Sequence, residues 1–166
     1  MKIIGQFNQG FILCSFLNHR IIIDQHAADE IKNYEKLKKE LNLKKQYLIQ
    51  PIEIKLDELD LLIINDNLEL FDKNGYVVKN NKLITLPVYK GIDFLYKDFV
   101  DFVEDVKNGL ELSNKLNEII KSKACRMSIM IGQKLSHKEM SSVVYDLSLL
   151  DKPWWCPHGR PVCRVL

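Results

Sequence analysis

Apolar and polar residues alternate near the start of the chain in a pattern that predicts a β-hairpin followed by a helix. Phe11–Leu17 and Arg20–Asp24 are apolar runs separated by a short polar turn, which is typical of two paired strands. From Gln25 to Leu41 the apolar residues recur every three or four positions, as they do on the buried face of a helix. The second strand therefore leads directly into the helix.

The rest of the chain continues with the same two periodicities, and the resulting mixture of helices and hairpins predicts an α+β fold. Two helix starts have clear signals, because Asp57 can cap a helix and Ser136 with Glu139 forms a capping box. In chain order we expect a connector (46–51), a strand (52–56), a helix (57–74) ended by Gly75, a hairpin (76–79 and 83–87), a helix (95–108), a helical stretch (113–131), a helix (136–149) and a loop-like tail.

Composition places the chain among ordinary globular proteins. It has 166 residues, 46% of them hydrophobic and 28% charged, which excludes a disordered chain and corresponds to one compact unit or two small lobes. The longest apolar runs are strand-sized, so we expect no membrane span, and the start shows no secretory signal. Four cysteines are too few for a disulfide scaffold, so we interpret them as core thiols or metal ligands: Cys14, Cys125, Cys156 and Cys163.

Charge is distributed unevenly along the chain. Residues 51–112 carry 7 Lys against 13 acidic residues, a net charge of −6, whereas residues 1–50 and 113–166 carry 17 basic against 9 acidic residues, a net charge of +8. This split favours two lobes, with a polyanionic partner on the basic one. A chance distribution of solvated surface charge would produce the same numbers.

Potential metal ligands occur in three segments. His26 and Glu30 are four residues apart, so they share one helix face, and Asp24 ends the strand beside them. The alternative is that Asp24 only caps the helix and that His26 and Glu30 form a surface pair. Cys125 lies far along the chain, and Cys156 and His158 lie in the tail. Thiolates and imidazoles suit Zn²⁺ and carboxylates suit Mg²⁺ or Mn²⁺, but the spacing does not show whether the segments meet.

Four segments carry a resemblance to a known family. GQFNQGFI, DQHAADEIKNYE, ACRMSIMIG and CPHGRPV occur in this order. They resemble the C-terminal endonuclease and dimerisation domain of the MutL mismatch-repair family, most narrowly the PMS-type subunits of eukaryotic MutL-alpha. The stretch from Asp24 to Glu35 matches the nuclease motif of that family without a mismatch.

The resemblance implies a metal-dependent endonuclease that nicks one strand of duplex DNA. Zn²⁺, together with Mn²⁺ or Mg²⁺, would be held by Asp24, His26, Glu30, Cys125, Cys156 and His158. The first three would also be the catalytic residues. Gln25 and Glu35 would support these ligands. Glu35 is not counted as a direct ligand, because it lies nine residues from His26 and hence on the opposite helix face. Arg126 and Arg160 would contact DNA phosphates.

The resemblance also implies partners and an organisation into lobes. Residues 1–50 and 113–166 would form the dimerisation and endonuclease lobe, and 51–112 an inserted regulatory lobe. Gln46, Leu48, Ile49 and Pro51 resemble a motif that binds a sliding clamp of the PCNA type, although such a hexamer can also be a simple linker. The partners would be duplex DNA, another MutL-family subunit in a heterodimer (or a second copy in a homodimer of the isolated domain) and, indirectly, MutS-type proteins. The location would be the nucleus. The alternatives are a zinc-stabilised dimerisation module without nuclease activity and a structural zinc domain that binds DNA.

Overall fold

The computed structural model describes residues 1–166, and they form two compact units. The first unit contains residues 1–40 and 119–166, and the second contains residues 41–118. These boundaries differ from the sequence expectation of 50/51 and 112/113. Residues 44–50 belong to the second unit because they begin a strand that pairs within it. No helix has the length and apolar character that a membrane span requires.

Helices and antiparallel sheets alternate along the chain, so the predicted α+β class is confirmed. In chain order the elements are β1 (Lys2–Phe7), β2 (Phe11–Phe16), β3 (His19–Asp24), α1 (Gln25–Lys39), β4 (Lys44–Glu53), α2 (Glu58–Asp66), α3 (Leu68–Lys73), β5 (Val78–Lys79), β6 (Lys82–Tyr89), β7 (Ile92–Asp93), α4 (Tyr96–Lys107), α5 (Asn114–Met127), α6 (His137–Ser148) and β8 (Cys163–Val165).

The first unit is a four-stranded antiparallel sheet in the order β1-β2-β3-β8, with helices packed on one face. Ile12 pairs with Ile23 in register, and both are fully buried in a core that α1 and α6 share. Because side chains alternate across a strand, their neighbours Leu13 and Ile22 lie on the opposite face, where they are only half-buried. The helices therefore cover one side of this sheet.

The helix starts of the first unit follow the predicted capping chemistry. The Asp24 carboxylate accepts a hydrogen bond from the backbone N–H of Ala27 over 2.9 Å, which caps α1. Ser136 and Glu139 form the expected reciprocal capping box at α6. Both devices satisfy backbone donors that a helix start leaves without partners.

The second unit has its own sheet and an aromatic core. Its strands follow the order β4-β6-β5, and β7 pairs with β6. Asn80 and Asn81 join β5 to β6 with φ of 51° and 55°, the left-handed conformation that a two-residue hairpin turn requires. The core contains four aromatic rings in mutual contact, at centroid distances of 5.0–5.7 Å: Phe71, Tyr76, Phe99 and Phe102.

Four local predictions differ from the structure. The expected connector 46–51 is part of β4, although the ladder skips from Tyr47 to Ile52, so residues 48–51 bulge out of it. The helix expected over 57–74 breaks at Asn67 into α2 and α3, and the stretch expected to reach 131 ends at Met127. Strands β1, β7 and β8 were not expected. A bulge between Ile3 and Gly5 interrupts the alternation of β1, β7 has only two residues, and β8 has three and gains its pairing from the edge of β3.

Candidate metal centre

The first turns of α1 carry two ionisable side chains into the interior. His26 and Glu30 are 7% and 1% exposed, respectively. Their spacing of one helical turn places them on one face, and the absence of any linker between β3 and α1 holds that turn against the sheet. The alternative of a solvated surface pair is therefore wrong.

Helix α5 brings a thiol to this pair. The Cys125 Sγ atom lies 3.6 Å from His26 Nε2. One ligand atom from each of His26, Glu30 and Cys125 lies within 4.8 Å of the others. The other ring nitrogen, His26 Nδ1, lies 2.9 Å from the carbonyl oxygen of Ile129. One nitrogen of the imidazole therefore contacts a backbone carbonyl, and the other contacts the Cys125 thiol.

The tail contributes a second group around the same carboxylate. His158 Nδ1 donates a hydrogen bond to Glu30 Oε1 over 2.8 Å. The ligand atoms of Glu30, Cys156 and His158 also lie within 4.8 Å of one another. Glu30 is thus common to both groups, and four other potential ligands from three distant segments surround its buried carboxylate.

A tight turn in the tail points Cys156 and His158 toward α1. The N–H of Cys156 donates to the carbonyl of Arg160, and the N–H of Gly159 donates to the carbonyl of Cys156, both over 2.9 Å. Gly159 has a φ of 80°, a left-handed conformation that glycine adopts at little cost. Cys156 is 4% exposed and anchors the turn in the core, while His158 is at the surface.

The electrostatics of the site favour a bound cation. Burial raises the pKa of the Cys125 thiol above its usual value, and the nearby Glu30 carboxylate raises it further, although Arg160 and Arg126 act in the opposite direction. Burial and Glu30 likewise raise the pKa of Cys156. The thiolate forms of both cysteines are therefore disfavoured beside this carboxylate, and a bound cation would stabilise them. Two thiols, two imidazoles and one carboxylate form a donor set that suits Zn²⁺.

Two predicted residues lie outside both groups. One carboxylate oxygen of Asp24 caps α1, which is the capping contact of the alternative, and its role as a metal ligand stays a prediction. Glu35 lies away from the cluster and pairs with Lys39 over 3.7 Å, as expected from its position on the opposite helix face.

Other predicted residues lie around the cluster or away from it. Gln25 is fully buried and donates to the carbonyls of Gln9, Met130 and Gln133. It therefore supports the loop after α5 rather than a ligand. Arg126 and Arg160 are exposed, and both charges act on Cys125. The remaining thiols are outside both groups, since Cys14 is buried in the sheet core and Cys163 packs against it.

The residues of the predicted clamp motif lie in β4, where Gln46 pairs with Leu86 and the other three lie in the bulge. Gln46, Ile49 and Pro51 are exposed, and Leu48 is half-buried. Exposure of this kind is compatible with a docking motif, and the clamp-binding role stays a prediction. Sequence reasoning missed Asp29 and Asn33, which are buried beside the site. In the sequence both residues look like ordinary polar positions of a helix, and only the structure shows that their neighbours on α1 are buried.

The chain matches the sequence model of one protein family. Residues 4–135 match the sequence model of the MutL C terminal dimerisation domain. Because this match covers most of the chain, the protein belongs to the MutL family. The matching model describes a domain of the dimerisation type.

The individual relatives include eukaryotic proteins that are named mismatch repair endonucleases and a bacterial MutL protein. The chain is 42% identical to the "Mismatch repair endonuclease pms1" of Dictyostelium discoideum, covering 100% of this chain and 18% of that protein. It is 36% identical to the "Mismatch repair endonuclease PMS2" of Homo sapiens, covering 99% of this chain and 20% of that protein. The bacterial "DNA mismatch repair protein MutL" of Clostridium tetani is 35% identical, over 97% of this chain and 28% of that protein. The chain thus spans well under a third of these relatives.

Proposed function

We propose that this chain is the endonuclease domain of a MutL-type mismatch-repair protein and nicks one strand of duplex DNA. The observation that carries the proposal is the position of Glu30, a buried carboxylate shared by two groups of potential metal ligands. A pairing domain alone has no need for a charged group at that depth, since a buried charge is costly unless a partner compensates it. The relatives of this chain include proteins named mismatch repair endonucleases.

The residues divide into those that would hold metal and those that would contact DNA. Cys125, Cys156 and His158 would mainly hold Zn²⁺, with His26 and Glu30 completing the site and shared with a hydrolytic Mn²⁺ or Mg²⁺. When bound, such ions supply a water of lowered pKa and stabilise charge on a phosphate. Arg126 and Arg160 are exposed beside Cys125, where they would attract the phosphate backbone.

Partners and location follow from the same proposal. We infer that the full protein acts with duplex DNA, with a sliding clamp of the PCNA type through Gln46–Pro51, and indirectly with MutS-type proteins, in the nucleus. The sheet face that carries Leu13 and Ile22 is suited to the subunit partner, because these two paired side chains are apolar and only half-buried. A Leu13→Asp and Ile22→Asp double variant should therefore lose subunit pairing in analytical ultracentrifugation. Pairing at the wild-type level would assign the interface to another face.

The nicking proposal is tested with variants of α1 in the reconstituted complex. With Mn²⁺, the sliding clamp and the partner subunit present, Glu30→Lys should abolish nicking of supercoiled plasmid, because it replaces an anionic ligand with a cation. Asp24→Asn tests the predicted ligand role of Asp24. Glu40→Gln is the matched control, because Glu40 is exposed at the C-terminal end of α1 and outside both ligand groups, and it should nick at the wild-type rate.

The second candidate function is a zinc-stabilised dimerisation module without nuclease activity. The observation that favours it is the match to a dimerisation domain. Nicking by Glu30→Lys at the wild-type rate would place the active site elsewhere and support this alternative. Loss of nicking with subunit pairing retained would support the endonuclease.

A further inference from the structure

A buried aspartate on α1 holds the backbone that His26 contacts. Asp29 is 7% exposed, and its Oδ2 accepts a hydrogen bond from the N–H of Ile129 over 3.0 Å. The carbonyl oxygen of the same residue lies 2.9 Å from His26 Nδ1. His26 and Asp29, one helical turn apart, therefore bind the two backbone groups of Ile129 from one side.

The contact with Ile129 decides which nitrogen of His26 carries the proton. A carbonyl oxygen can only accept a hydrogen bond, so Nδ1 must donate. In the neutral ring Nε2 then has its lone pair free, and Nε2 is the atom that lies 3.6 Å from Cys125 Sγ. Fixing one ring nitrogen through a hydrogen bond in this way sets the orientation and basicity of a metal-binding histidine.

Further bonds along α1 hold Asp29 and this backbone in place. Lys32 Nζ lies 2.6 Å from Asp29 Oδ1 and also pairs with Asp146. Asn33 Nδ2 donates to Ser128 Oγ over 3.0 Å, and Ser128 Oγ donates to the carbonyl of Ala124. The segment that follows α5 is thus fixed along α1.

We propose that Asp29 is a positioning residue for His26: by holding the Ile129 N–H, it fixes the Ile129 carbonyl and hence the Nδ1–H tautomer of His26. This inference rests on the proposed metal centre for its purpose, but the tautomer itself is a property of the metal-free chain. Without Asp29 the segment after Met127 loses the anchor that faces His26. The ring could then exchange its two tautomers, and only one of them presents Nε2 as a ligand.

The test measures the tautomer and the zinc affinity separately. Long-range ¹H–¹⁵N correlation spectra of the metal-free wild-type chain should show His26 protonated at Nδ1, and competition with a chelator gives the zinc affinity. Asp29→Ala should mix the tautomers and lower the zinc affinity roughly 10–100-fold, the range typical of such supporting groups. Asp29→Asn retains an oxygen acceptor and should restore both properties.

Lys32→Met is the matched control, because it removes the ion pair of Asp29 without touching the bond to Ile129. It should change stability but leave the His26 tautomer unaltered. A wild-type His26 protonated at Nε2 would overturn the proposal even if Asp29→Ala fails to fold, and so would an Asp29→Ala chain with unchanged tautomer and zinc affinity. A tautomer that depends on Asp29 in a wild-type chain that binds no zinc would uphold the positioning role and refute the metal centre.

Discussion

Replacing Glu30 by glutamine should affect the metal-free and the zinc-loaded protein in opposite directions. Glutamine has nearly the same volume as glutamate, so Glu30→Gln leaves no cavity in a site that is 1% exposed. In the metal-free chain it removes a charge that raises the pKa of both Cys125 and Cys156. Its amide oxygen can still accept from His158. We therefore expect the metal-free variant to be as stable as wild type or slightly more stable.

The zinc-loaded protein should lose stability, because Glu30 belongs to both ligand groups. If losing this anionic ligand lowers the zinc affinity about 100-fold, the stabilisation by zinc falls by about 2.7 kcal/mol. For a chain of this size that corresponds to a melting temperature about 5–10 °C lower at the same zinc concentration. The variant and the wild type should thus exchange order when zinc is added.

The assay is a thermal melt with and without excess Zn²⁺, in parallel with elemental analysis. Glu40→Gln serves as the control, since Glu40 is exposed at the C-terminal end of α1 and lies outside both ligand groups, and it should behave like wild type in both melts. An equal increase in melting temperature on adding zinc to wild type and Glu30→Gln would refute the assignment of Glu30 as a ligand.

Three further outcomes are expected. Cys156→Ser should lower zinc content and melting temperature, whereas Cys14→Ser, outside both ligand groups, should keep wild-type zinc content by elemental analysis. Gln46→Ala with Leu48→Ala should weaken clamp binding in surface plasmon resonance while circular dichroism stays unchanged, and wild-type binding would leave the hexamer as a simple bulge. The pKa values of Cys125 and Cys156 are raised in the folded state, so their stabilisation of the metal-free chain is present below the ordinary thiol pKa of about 9 and is lost above it; urea midpoints at pH 7 and pH 9.5 should show this loss.

Much of the fold could be predicted because local signals agree with the tertiary structure. The hairpin β2–β3, the Asn80 and Asn81 turn and the capping box at Ser136 each depend on residues within a few positions of one another. Strands β1 and β8 escaped prediction because they depend on the sheet that they join. A bulge hides the alternation of β1, and three residues are too few for β8 to show a period.

The candidate site could be predicted only in part from spacing. The period of a helix gave one pair, His26 and Glu30, and it correctly removed Glu35 from their face. Cys125 and His158 lie about 100 and 130 residues away from that pair, and no local rule connects them. Their place beside Glu30 follows from the packing of α5 and the tail, so the family resemblance supplied what periodicity could not.

The three segments of the site are held to different degrees, and this has a consequence for metal binding. His26 and Glu30 are fixed by the packing of α1, and Cys125 is fixed by the bonds between α1 and the segment after α5. Cys156 and His158 depend on a tight turn in a tail whose residues are mostly exposed. Because bound metal raises the free energy of any local opening that separates its ligands, and the exposed tail is the segment that opens most easily, zinc should protect the backbone amides of the tail from hydrogen exchange more than those of α1. Removing zinc would then loosen the tail first and leave the α1 half of the site in place.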